Sequence, residues 1–364
     1  MPGEERRQLM ADTRRAFLAE LEKVSPRIRE AFEQAIQDIR SVAQARAIDE
    51  AIKRALETGD IARGVQEVTA ALQLGPEFWA PLDRQLSEAF YAGGVWQLAQ
   101  IPKPVSTGSQ GRALIVRFDG RHPRAETWAR QRGGALITEI TRDTETVIRE
   151  TLTEAVEQGR PYRKVTQDLL GRTEANERKG GLIGLHSTQA RAVRGARAQL
   201  EALDASYFQR ARRDKRFDGL VRKAIASGEP LSAAEVDRIA GRYSDRLLRL
   251  RAETISRTEG NKAMNAGRAE GVVQMIERGE ILPEHVTIIW DATPGPRTRD
   301  SHRALNGTAI MWGQFFVSPV TGALMRWPHD EDAPAAETVN CRCSARFRID
   351  WKAVMLWRRG RLAA

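Results

Sequence analysis

Arg257-Thr258-Glu259-Gly260-Asn261-Lys262-Ala263-Met264-Asn265-Ala266-Gly267-Arg268 is the stretch on which the reading of the fold turns. Arg257, Asn261 and Asn265 recur every four residues with Arg268 close by, so on a helix they form one polar stripe. Such a stripe either meets a polar partner or ties down loops of its own domain, and the second is the commoner arrangement. Upstream the pattern is helical. Ser232-Ala233-Ala234-Glu235 has the capping-box spacing, in which hydroxyl and carboxylate each take an orphan amide. Helical periodicity then continues past Arg251 to about Ile276, with Gly241 as a candidate interruption and further glycines at 260, 267 and 271. Downstream of Gly279 the composition changes. Five of the eight tryptophans and both cysteines fall in the last 80 residues, and β-prone runs at Val286–Trp290 and Ala345–Ile349 are separated by Pro/Gly loops. That combination predicts a small α+β unit.

Moving toward the N-terminus, Phe17, Leu18, Leu21, Val24 and Ile28 keep helical spacing, and Ala-rich helical segments extend to about Leu98. Pro102, Pro104 and the run from Ser106 to Gly111 read as a linker. Ala113–Phe118 is a candidate strand, and a long helix is expected from about Ala135 to the C-terminal Gly159. Tyr162–Leu170 forms a second helix of a hairpin, and Ser187 is a candidate cap for a helix through Leu200. The expected organisation is a helical region over 1–105, a helical domain with a short strand over 106–254, an α+β domain over 255–348 and a basic tail over 349–364. The fold class is α+β, predominantly α-helical in its N-terminal and central regions.

The chain has 364 residues, 41% hydrophobic and 29% charged, which supports real cores and excludes both a single small module and a disordered chain. Ala89–Pro102 carries no charge, yet it is too short and too polar to span a bilayer. The first twenty residues lack an export signal, and two cysteines one residue apart fit a reducing compartment. The net charge is +10, and 18 basic against 10 acidic residues between Gly171 and Arg251 hold most of it. A basic stretch favours a polyanion such as double-stranded DNA, although arginines interleaved with Ala, Leu and Glu are ordinarily a solvated helix face.

Two further segments carry chemistry. In Trp290–Gly307 the prolines and Gly295 turn the chain out of a strand, Thr298 is a candidate cap for a short helix bearing His302, and Asn306-Gly307 suits a tight reversal. In Val339-Asn340-Cys341-Arg342-Cys343-Ser344, a strand would place both thiols on one face. His302, Cys341 and Cys343 are thus candidate zinc ligands, with Asp291, Asp300, His285 or His329 as a fourth, against the plainer alternative of two packed cysteines. A metal-dependent nuclease using His302, Asn306 and His329 is the catalytic alternative. No paired carboxylates, phosphate loop or defensible nucleophile grouping accompanies it, so no enzymatic activity is expected.

Taken together, Arg257-Thr258-Glu259 with Asn261 and Asn265, then Trp290 with Arg297-Thr298-Arg299, His302, Leu305 and Gly307, then Asn340-Cys341-Arg342-Cys343, resemble the C-terminal domain of the phage Mu F-type minor head proteins, or phage head morphogenesis proteins. Upstream, Phe118, Pro123-Arg124-Ala125, Trp128 and the long helix are similar in kind. The resemblance extends over about Arg112 to Phe347 and implies a low-copy component of the phage or prophage head, found in the virion and in the host cytoplasm during assembly. It implies the portal and other head proteins as partners, in head assembly and in packaging or delivery of DNA. No catalytic cycle comes with it. The basic helices between 171 and 251 are then expected to face portal or packaged double-stranded DNA, with no membrane involved. The runner-up is a nuclease or toxin-like effector delivered with the DNA.

Overall fold

The computed structural model describes residues 3–41, 45–102, 105, 116–175 and 177–363. The elements in chain order are α1 (Gly3–Ile39), α2 (Ala45–Thr58), α3 (Ile61–Ala71), α4 (Pro76–Leu98), α5 (Pro123–Glu157), α6 (Tyr162–Leu170), β1 (Arg172–Glu174), β2 (Glu177–Lys179), α7 (Ser187–Glu201), α8 (Asp218–Ser227) and α9 (Ala233–Glu277). The C-terminal part adds β3 (Val286–Asp291), α10 (Asp300–Leu305), β4 (Ala309–Met311), β5 (Phe316–Val317), β6 (Leu324–Met325), α11 (Ala335–Thr338), β7 (Ser344–Ile349) and α12 (Trp351–Ala363). The fold is mostly helical with small antiparallel sheets, the α+β class expected.

Two compact units emerge, each discontinuous in sequence: Met1–Arg29 with Asp83–Arg132 and Thr254–Ala364, and Glu30–Leu82 with Gly133–Glu253. They are assembled from alternating segments, whereas the sequence reading divides the chain into consecutive ones.

In the first unit, β3 is the middle strand of a β4-β3-β7 sheet, pairing Ile288 with both Ile310 and Phe347. Five of its six residues are buried, which suits a β-branched central strand. Helices α4 and α9 meet at their backbones. A Cβ on Gly267 would lie 1.9 Å from the Phe90 carbonyl oxygen, and one on Gly93 would lie 2.2 Å from that of Met264. Gly267 and Gly93 are therefore required by close approach, and α9 runs through 260, 267 and 271 without interruption. Over this contact, Phe90 stacks on Trp128 with centroids 4.5 Å apart, and Phe17, Trp96 and Phe347 surround the guanidinium of buried Arg268 at 4.6–5.2 Å. Burial pushes that guanidinium down to about 9, partly countered by Asp291.

The second unit is helical apart from the β1–β2 hairpin. Buried Arg40 donates to the carbonyls of Gly181 and Ile183, and Ser244 donates to Gly181 at 2.6 Å. These bonds satisfy a loop that has no ladder of its own. Helix α9 starts with the expected capping box: the Ser232 amide donates to Glu235 at 2.8 Å and the Glu235 amide to the Ser232 hydroxyl at 3.3 Å. Gly241 does not break it.

Several local expectations are corrected. Helix α5 begins at Pro123, a residue whose missing amide costs nothing in a first turn, and not near Ala135. Helix α7 is capped by His186, whose ring accepts from the Thr188 amide, and not by Ser187. Val116–Phe118 is not a strand, while Ala113 to Ile115 and the Ser106–Gly111 linker lie outside the described residues.

Candidate metal centre

The polar stripe of α9 organises the chain around residues 340–345. Arg257 donates to the Asn340 side chain at 2.8 Å, and the Asn340 amide donates to the Thr258 hydroxyl at 3.1 Å. Asn340 takes a left-handed backbone, φ 57°, which asparagine tolerates better than most residues. Asn261 reaches the Cys341 carbonyl at 3.5 Å, and the Asn265 side-chain oxygen accepts from the Ala345 amide at 3.5 Å and from Arg268 at 3.3 Å. Glu259 pairs with Arg132 at 2.5 Å. The stripe thus ties down its own domain.

On this scaffold Cys341 and Cys343 lie just ahead of β7, not within a strand. Irregular backbone still turns both thiols onto one point, because the Cys343 amide donates to the Cys341 sulfur at 3.3 Å. His302, on α10, completes the group: its Nδ1 lies 3.3 Å from Cys341 Sγ and 3.4 Å from Cys343 Sγ. Helix α10 has no side-chain cap, and the Thr298 hydroxyl donates instead to the Thr293 carbonyl at 2.5 Å, a correction to its expected capping role. Trp290 covers the imidazole edge-on at 5.1 Å. Exposure is 1% for His302, 4% for Cys341 and 2% for Cys343.

Nε2 of His302 faces Glu337 Oε2 at 2.8 Å. The Glu337 carboxylate also accepts from Ser301 at 3.2 Å, Ser318 at 2.7 Å and Thr321 at 2.6 Å. Burial alone would raise this carboxyl, but the bonds from Thr321, Ser318 and His302 outweigh it and hold Glu337 below its ordinary value. An ionised Glu337 takes the Nε2 proton as hydrogen-bond partner and leaves the Nδ1 lone pair facing the sulfurs. Hydrogen bonding between the sulfurs pushes Cys343 down and Cys341 up, so the pair releases a first proton readily and holds the second.

The other sequence candidates do not join this cluster. Asp291 pairs with Arg14 at 2.7 Å, Asp300 is exposed beside Arg303, and His285 packs on Trp357. His329 is buried, and desolvation, with the nearby Lys262 charge, pushes it down to about 3, so it stays neutral. Arg297 is exposed and remote in role from the cluster, whereas Arg299 donates to the Val339 carbonyl at 2.6 Å. Glu337, Ser318 and Thr321 carry no signal of this role in the sequence. A lone acidic residue in a four-residue helix has no periodic signature, and only the fold brings it under His302.

Residues 215–346 match the family model described as phage Mu protein F like protein. This stretch is similar to the Mu F-like family. The match takes in the polar stripe, Trp290, His302, Glu337 and the Asn340–Cys343 run. No match is found among curated proteins or solved structures. Residues 1–214 and 347–364 lie outside the match. No helix among the described residues is long and apolar enough to cross a membrane.

Proposed function

We propose that the chain is a minor head component that seats on other head proteins through its Mu F-like domain, with the portal as its expected neighbour, and that it turns over no substrate. One observation carries the docking part. Met311, Phe315, Val317, Val320 and Leu324 are all 39% or more exposed, within 14 residues around the β5–β6 hairpin. Val317 and Leu324 are paired across the hairpin, so their side chains share its outer face, while the neighbouring Phe316–Met325 pair is buried. A local group of large apolar side chains facing solvent beside a packed core is the usual mark of a protein partner. The enclosed His302 cluster supports a binding module over a catalytic one. The test is the presence of the chain in assembled heads, and its loss from them when Val317→Ser and Leu324→Ser make the hairpin face polar.

A second surface supports contact with packaged DNA. Between 205 and 251 nine basic side chains are exposed, among them Arg212, Lys215, Arg222, Lys223 and Arg242, against one exposed acid, Glu229. The acids here are drawn inward: Asp214 is 1% exposed beneath Arg216 and Arg246, and Asp218 lies under Arg213. Duplex DNA should therefore bind weakly and without sequence preference. Affinity should fall about tenfold or more from 50 to 200 mM salt as counterions are released. Fluorescence anisotropy of a labelled duplex measures this, and salt-independent or absent binding removes the DNA contact.

A further inference from the structure

We propose that His302 Nδ1, Cys341 Sγ and Cys343 Sγ bind one zinc ion, and that Glu337 is the positioning residue that holds the imidazole for it. The three donor atoms lie within 4.8 Å of one another, all buried, and both cysteines are free. Zinc bonded to sulfur at ~2.3 Å and to nitrogen at ~2.0 Å sets a tetrahedral N···S edge of about 3.5 Å. The observed 3.3 and 3.4 Å are close to that edge, so little movement is required of the ligands. Donor chemistry selects the ion: two thiolates and an imidazole are soft and borderline ligands that favour zinc over calcium or magnesium.

A second observation points the same way. The buried Glu337 accepts three hydroxyl bonds besides that of His302, an arrangement that fixes one tautomer and one ring orientation. Packed cysteines alone need no such support. The ion would join α10 to the segment before β7, and with them the whole loop-rich run from 292 to 343. Binding it displaces the remaining thiol protons to solvent, and the binding free energy adds to the folding free energy of the domain.

The inference stands apart from the head role and is tested on the full chain, purified under reducing conditions. Elemental analysis should find about one zinc per chain. After chelation, cobalt(II) should restore a thiolate-to-metal charge-transfer absorption. Glu337→Gln should leave the circular dichroism unchanged and weaken cobalt binding about 10- to 100-fold. Cys343→Ser and His302→Ala should abolish the charge-transfer band or shift it. A folded chain with both thiols reduced that takes up neither ion overturns the proposal, as does cobalt binding unaltered in both ligand variants.

Discussion

At the scale of single residues, the polar groups that fold inward are the most informative. Tyr207 is fully buried and its hydroxyl has no hydrogen-bond partner among the described residues. Burial, with the nearby Asp218, raises the phenol to about 12 against an ordinary 10.0. The folded chain therefore keeps a proton that the unfolded chain loses between those values. Its contribution is fully present below pH 10 and is lost as pH rises toward 12. Tyr207→Phe should be neutral or stabilising by about 1 kcal/mol at neutral pH, since it removes an unsatisfied buried group. It should also remove an alkaline loss on the order of 2 kcal/mol. Urea denaturation of both proteins across that range checks both parts, and a loss of stability in the variant at neutral pH would show that the hydroxyl has a partner. His302, Cys341 and Cys343 could be named from the sequence as candidate ligands, with two packed cysteines as the plainer alternative, and the fold brings their donor atoms together. Glu337 could not be so named, because its partners come from α10, the β5 end and the turn at Thr321, which only tertiary folding assembles.

Among the elements, the helices were the most legible and their glycines the least. The capping box at Ser232 and the strands around Val286–Trp290 and Ala345–Ile349 follow local rules, and they stand where those rules put them. Gly267 and Gly93 obey a packing rule that a single helix pattern does not contain. Gly267→Ala would drive a methyl group into the Phe90 carbonyl, with an expected cost of about 2–4 kcal/mol. Gly134 is the contrast: it is exposed on α5 and a Cβ there meets nothing within 4 Å. Gly134→Ala should gain about 0.5–1 kcal/mol, the ordinary helix-propensity difference. Thermal denaturation of the two variants separates these cases, and equal changes of one sign would contradict the close approach of α4 and α9.

For the whole molecule, the helical character and the late α+β domain are legible in the sequence, whereas the assembly of each compact unit from separate segments is not. Such assembly follows from which segments return to pack together, information that periodicity along the chain does not hold. The charge pattern shows a related limit. The sequence places a basic excess between Gly171 and Arg251, and within 205–250 the fold draws Asp214 and Asp218 inward while nine cations stay outside. The exposed apolar hairpin was equally hidden, since Val317 and Leu324 have the composition of a core. Its proposed role is the most direct point of test. Particles and proheads from a culture that produces this chain should be purified and counted by quantitative mass spectrometry, with the unaltered chain and with Val317→Ser/Leu324→Ser. The account predicts a few intact copies per head for the unaltered chain and a marked loss for the variant at unchanged melting temperature. Absence of the unaltered chain from both proheads and mature particles would contradict it.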